Sequence, residues 1–204
     1  MAIIPEKMGA RRVFSNLSKA LFRPWVITMD ESTGKKTESV GTKIYDLVDI
    51  VADTPSVEQA DNEVNTIEHE FTSAPLFENV NLGEKTFTTE CVDFHNEILE
   101  QLFGWDVNGD DAFAPVGYTD LYCQIELHFN STEDILVLPK VKLNSRAVIA
   151  SMKTDVSRAN ITGTCYPAYV QAGSKTKFTD MAVISKANKE SYNVSATGTE
   201  TADL

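Results

Sequence analysis

The sequence predicts a mainly β protein, an antiparallel β-barrel or sandwich with one flanking α-helix. Two patterns carry that prediction. Residues 121–129 alternate strictly, with Leu121, Cys123, Ile125, Leu127 and Phe129 apolar and Tyr122, Gln124, Glu126 and His128 between them. A period of two puts the apolar set on one side of a half-buried strand. Residues 92–103 instead carry Val92, Phe94, Ile98, Leu99, Leu102 and Phe103 at helical spacing, with Gly104 placed to end the helix. Strands and helices do not alternate elsewhere, which argues against a doubly wound parallel sheet.

The remaining elements follow from apolar runs bounded by turn residues. A helical stripe of Val13, Phe14, Leu17, Ala20 and Leu21 is expected to stop at Pro24. Short strands are expected over 25–29, 44–51, 64–71 and 86–92, with a turn-rich loop over 30–41. Residues 53–61 are polar and contain Pro55, and read as a long exposed loop. Asn108-Gly109 marks a turn within a loop over 106–115. Residues 135–143 form a second long strand, where Pro139 implies an edge or a bulge. Further short strands are expected over 147–152, 160–165 and 181–185. The implied organisation is an N-terminal arm or helix over 1–24, a β-domain over 25–186 and a loose tail or arm over 187–204.

A chain of 204 residues with 42% hydrophobic and 24% charged residues fits one domain. The apolar runs are too short for a transmembrane helix. The formal charge is −12, from 18 Lys and Arg against 30 Asp and Glu, which disfavours a general nucleic-acid binder. That charge is unevenly placed. Residues 1–36 hold 7 basic and 3 acidic residues, 37–136 hold 2 and 22, and 137–204 hold 9 and 5. The bland account of an acidic middle is a solvated surface; two basic residues in a hundred positions call for another reading beside it.

Motifs that carry chemistry are few. Cys91, Cys123 and Cys165 are widely spaced and odd in number, so they read as buried thiols of a reducing compartment. The start of the sequence lacks the apolar core of a secretory signal, and four N-x-S/T sequons carry no meaning without that route. No phosphate loop, nucleophile elbow or HExxH is present. Glu68-His69-Glu70 on a strand would place both carboxylates opposite the imidazole. His95 reads as a helix-surface residue and His128 as a wet-face residue. Asp106 to Asp111 starts like a calcium loop but fails at its sixth and twelfth positions, Asp111 and Gly117. The sequence therefore points to no enzyme, cofactor or metal.

Three segments carry a resemblance. They are Ile67-Glu68-His69-Glu70-Phe71-Thr72-Ser73-Ala74-Pro75-Leu76-Phe77-Glu78, the helix ending Leu102-Phe103-Gly104-Trp105, and Leu136-Val137-Leu138-Pro139-Lys140-Val141-Lys142 with 147–152 and 160–165 after it. In style and order, over about residues 40–170, the chain resembles phage tail tube proteins, the Hcp-like group. The segment through Pro24 and the final tail match nothing in that pattern.

The resemblance implies a non-enzymatic virion subunit, assembled in the host cytoplasm. It implies homo-oligomeric rings, expected to be hexamers, stacked head to tail among other tail proteins. DNA would pass through the lumen without specific binding, and no membrane is involved. It also implies a loop reaching the neighbouring ring; the matching candidates are Asp53, Thr54, Pro55, Ser56, Val57, Glu58, Gln59 and Asp61. Glu126 is the lumen candidate, since an acidic wall releases a phosphate backbone. A second expectation is that basic ends meet acidic middles between rings. The alternatives are a head decoration or tail-completion protein of the same barrel type and a β-sandwich binding module; Trp25 and Trp105 lack the aromatic neighbours a lectin needs.

Overall fold

The computed structural model describes residues 14–30, 32, 34–47, 50–51, 54–68, 75–92, 95–117, 120–148 and 157–200. Its strands in chain order are β1 (Leu17–Met29), β2 (Lys36–Val40), β3 (Tyr45–Leu47), β4 (Ser56–Gln59), β5 (Glu63–Glu68), β6 (Pro75–Asn81) and β7 (Lys85–Cys91). Helix α1 (Asn96–Phe103) follows, then β8 (Asp106–Asn108), β9 (Asp111–Phe113), β10 (Leu121–Phe129), β11 (Ile135–Leu143), β12 (Arg146–Val148) and β13 (Arg158–Tyr166). The chain ends in β14 (Ala168–Ala172), β15 (Lys175–Thr179), β16 (Ala182–Ile184), a 3₁₀ turn (Lys186–Asn188) and β17 (Asn193–Ser195).

The main sheet runs β2-β1-β10-β11-β13-β7-β4, with β3 on β1, β16 on β11 and β12 on β13. Every one of these pairings is antiparallel. Among the described residues the path stays open, so this is a mainly β, barrel-like sandwich rather than a closed barrel. One side packs onto α1 and itself through Phe22, Phe87, Leu102, Ile125, Val141 and Ile161. The other side carries a separate sheet, β15-β14-β17. Ile135 and Val137 of β11 meet Ala168, Val170 and Val194 there, with Trp25 and Ile184 completing the cluster.

Helix α1 forms where the stripe predicts it. Ile98, Leu99, Leu102 and Phe103 are its buried residues. Gly104 closes it at φ 69°, a left-handed conformation that glycine adopts without a Cβ penalty. The predicted strands at Leu121–Phe129 and Ile135–Leu143 are found over those residues. Pro139 marks a bulge rather than an edge: the β10–β11 register slips between Cys123 and Ile125, and β11 is paired on both sides. The freed Pro139 carbonyl accepts a hydrogen bond from the buried Trp25 indole at 2.9 Å. Asn108 and Asp111 close the β8–β9 hairpin around Gly109.

No helix ends at Pro24; β1 runs through it. Pro24 pairs Cys123 at the last β10 contact, and its carbonyl accepts from the Gly41 amide at 2.7 Å. On that same edge the partner strand is interrupted between β2 and β3, so the missing proline N–H deprives the ladder of nothing. The domain boundary expected at residue 24 therefore falls inside a strand. The loop expected over 30–41 contains β2. The tail expected from 187 onward contributes β17, and its Val194 is 7% exposed.

Candidate functional site

The inter-ring loop residues divide. Asp53 lies outside the described residues. Thr54 and Pro55 are half-buried, and the Thr54 hydroxyl donates to the Val51 carbonyl at 2.7 Å. Ser56, Val57, Glu58 and Gln59 form β4, paired with Thr88, Phe87, Thr86 and Lys85 of β7. They are sheet rather than free loop, because a polar strand at a sheet edge needs only one buried neighbour and gives no apolar run to read. Asp61 alone is exposed outside any strand.

The projecting element begins just beyond. From Glu63↔Asn81 to Ile67↔Phe77 the numbers paired in β5–β6 add to the same value as those in β4–β7, with a shift only at the far pair Glu68↔Pro75, and the Ala60 amide donates to the Glu84 carbonyl between the two ladders at 2.9 Å. The two ladders are thus one hairpin in a single register. Its near half belongs to the main sheet, and among the described residues its far half, β5–β6, pairs only with itself. At the junction the backbones pinch: a Cβ on Gly83 would run into the Ala60 carbonyl and sit 2.8 Å from that of Asp61. The Gly83 amide donates to Asn62 Oδ1 at 3.1 Å. On the arm Val64 and Val80 pair directly across the ladder and are 55% and 49% exposed, and Leu82 is 75% exposed. His69, Glu70 and Phe71 lie outside the described residues.

Glu126 is not on a wet surface. It is 4% exposed and Gln124 is 1% exposed, because the β14–β15–β17 sheet and the segment before β17 cover that side of β10. Arg23 Nη2 stands 3.2 Å from Oε1, and the Gln124 amide donates to the same oxygen at 3.1 Å. His128 Nε2 lies 3.5 Å from Oε2 without hydrogen-bond geometry. The Tyr192 hydroxyl bonds the carboxylate and accepts from Gln124 at 3.0 Å. Burial pushes the Glu126 carboxyl up, but His128, the Tyr192 hydroxyl and the Arg23 charge outweigh it, leaving the group below the ordinary carboxylate range. Burial and the adjacent carboxylate drive the Tyr192 hydroxyl far up, so it stays a donor. Glu126 is therefore an internal anchor for the C-terminal segment, not a lumen residue.

The charge split resolves largely within one chain. Lys19 pairs with Asp46, Arg23 with Glu126, Lys36 and Lys140 with Glu38, Lys142 with Asp120, Arg158 with Glu90 and Lys186 with Glu133. Each joins a basic end to the acidic middle, so much of the complementarity expected between rings is satisfied at home. Glu38 shows the pattern best. Hydrogen bonds from Lys140 and Lys36 hold its carboxyl below the ordinary range, and Lys140 Nζ lies 5.1 Å from the Trp25 ring centre and 4.9 Å from that of Tyr122.

The other features are plain. Cys91, Cys123 and Cys165 are buried and form no disulfide; burial raises Cys123 strongly and pushes Cys165 up to about 11. Among the described residues no cluster of His, Cys, Asp and Glu could hold a metal, and no helix is long and apolar enough to cross a membrane. An open groove of about 1010 Å³ lies between β3 and β4, lined by Leu17, Leu47, Ile50, Val57, Leu127 and Phe129.

No protein-family description matches the chain, and no curated protein matches it in sequence. Among the solved structures that align with it is a chain from the cryo-EM structure of the anti-feeding prophage (AFP) baseplate, 6-fold symmetrised. The TM-score is 0.35 at 9% identity, covering 88% of this chain and 99% of that one. At that TM-score the likeness assigns neither family nor function.

Proposed function

We propose that this chain is a structural, non-enzymatic subunit of a phage tail, forming stacked homo-oligomeric rings around a channel through which DNA passes. The observation that carries the reading is the self-paired arm leaving an open antiparallel sheet. Unpaired strand edges and exposed apolar residues on a ribbon are features of a subunit that finishes its structure in an assembly. The sequence resemblance to tail tube proteins supplies the kind of assembly, with hexameric rings stacked head to tail as its specific form. Residues 37–136, with 2 basic and 22 acidic residues, suit a wall past which phosphates slide, since few Lys or Arg are there to displace counterions. The wall would be built from exposed carboxylates and not from the buried Glu126.

Negative-stain electron microscopy of the purified protein tests this. Long filaments with a central channel are the expected result. Rings that never stack would favour a tail-completion or decoration role, and a monomer at every concentration would refute the assembly reading.

A further inference from the structure

The groove between β3 and β4 opens onto the main core. Of its lining, Leu47 and Leu127 belong to that core, and Leu17, Ile50, Val57 and Phe129 pack against it half-buried. Apolar surface of this kind gains from a cover of matching character. Phe14 also lines the groove, its ring 5.2 Å from that of Phe129. Three features aim the chain there. Asn16 takes a left-handed conformation at φ 56°, which turns the backbone and which asparagine adopts more readily than most residues. The Asn16 carbonyl accepts from the Asn130 amide at 2.9 Å. The Ser15 amide donates to Ser131 Oγ at 2.8 Å.

Thirteen residues precede Phe14 in the sequence. Fully extended they span about 45 Å, ample to run the length of the groove and fold back. They include Met1, Ile3, Ile4, Met8 and Val13, and they carry Lys7, Arg11 and Arg12 against Glu6 alone. Residues 45–61, which supply the β3–β4 side of the groove, hold Asp46, Asp49, Asp53, Glu58 and Asp61 and neither Lys nor Arg. Lys19 answers one of these carboxylates, Asp46, at 3.1 Å. We infer that residues 1–13 dock in the groove of their own chain, apolar side chains on its floor and the three cations along the acidic 45–61 segment. A short tether sets an effective concentration of order millimolar, so the chain's own groove outcompetes that of a second copy in dilute solution. The contact lies within one chain and goes beyond the assembly reading, since it holds whether or not copies stack.

Trypsin digestion of the full chain tests it, because Lys7, Arg11 and Arg12 are cut when the segment leaves the groove. Ile3→Asp with Ile4→Asp removes the apolar anchor and leaves the described fold untouched. It should speed cleavage at those three sites roughly tenfold, with cleavage within residues 14–200 unchanged. Independently, a chain carrying Ile4→Cys with Val57→Cys should close a disulfide within one molecule on mild oxidation at micromolar concentration, seen as a monomer with a linked peptide. The native thiols are buried, and Ile4→Cys with Phe178→Cys, on the separate β15 sheet, should stay reduced. If the Val57→Cys chain does not fold, the trypsin comparison decides the matter. Wild type cut as fast as the aspartate variant, a cysteine pair that links only two chains, or equal closure of both pairs overturns the inference. Each of these outcomes leaves the tube reading standing, and a wild-type chain that never forms filaments leaves this contact standing.

Discussion

Replacing Glu126 with Gln keeps shape and acceptor oxygen but removes the charge. The Gln124 and Tyr192 hydrogen bonds to that site can persist in neutral form. Arg23 then lacks its counter-charge 3.2 Å away. Breaking a fully buried ion pair costs ~3–5 kcal/mol, and a hydrogen bond to a charged group contributes ~1.5–3 kcal/mol. The Arg23 side chain is 31% exposed, so water takes up part of the loss, and about 2 kcal/mol is the expected cost at pH 7. Urea unfolding followed by tryptophan fluorescence reads it, because Trp25 is buried in the cluster under the C-terminal sheet. The pH dependence supplies the sign. Glu126 is held below its ordinary 4.5, so its contribution is complete above that value and is lost as pH falls through the lower folded-state value. Wild type and Glu126→Gln should therefore converge under acid. A difference below about 0.5 kcal/mol at pH 7, the range of ordinary surface substitutions, or a gap unchanged down to acid, would refute the anchor.

Gly83→Ala should disrupt the root of the arm, since the new methyl meets the Ala60 and Asp61 carbonyls; hydrogen exchange of the β5–β6 amides would rise while those of β10 stay protected. Gly104→Ala places a Cβ in a left-handed cap and should cost ~1 kcal/mol, read as a lower urea midpoint at unchanged slope. Phe22→Ala opens a cavity at a site 1% exposed and should cost ~3–5 kcal/mol in the same assay. If charge drives stacking of copies, filaments should shorten in about 1 M salt, where the screening length is about 3 Å, and their persistence would be visible by electron microscopy.

Alternation and spacing were enough for the centre of this fold. Cys123, Ile125 and Leu127 point into one core, and Ile98, Leu102 and Gly104 lie on a helix and its cap. Alternation reports that two sides differ, not that the second one is wet. Gln124 and Glu126 read as wet because Tyr192, which bonds both, comes 68 and 66 residues later in the chain. The polar strands left no trace. Lys36-Thr37-Glu38-Ser39-Val40 and Ser56-Val57-Glu58-Gln59 are held by backbone pairing to β1 and β7, each against one buried residue, Trp25 and Phe87, which composition does not record. Pro24 reads as a stop in the sequence, and only the fold shows that its edge faces an interruption between β2 and β3. The arm was legible in part: 64–71 reads as a strand, but its partner Pro75-Leu76-Phe77-Glu78-Asn79-Val80-Asn81 begins with a proline and does not alternate cleanly.

The single register shared by the arm and the main sheet has a mechanical meaning. A pull along β5 or β6 passes without a joint into β4 and β7, and from β7 through the ladder to β13 in the interior. Force along those strands loads many backbone hydrogen bonds sideways at once instead of opening them one by one. The arm is a tie rod rooted in the core, and tension on it would be borne by the whole sheet.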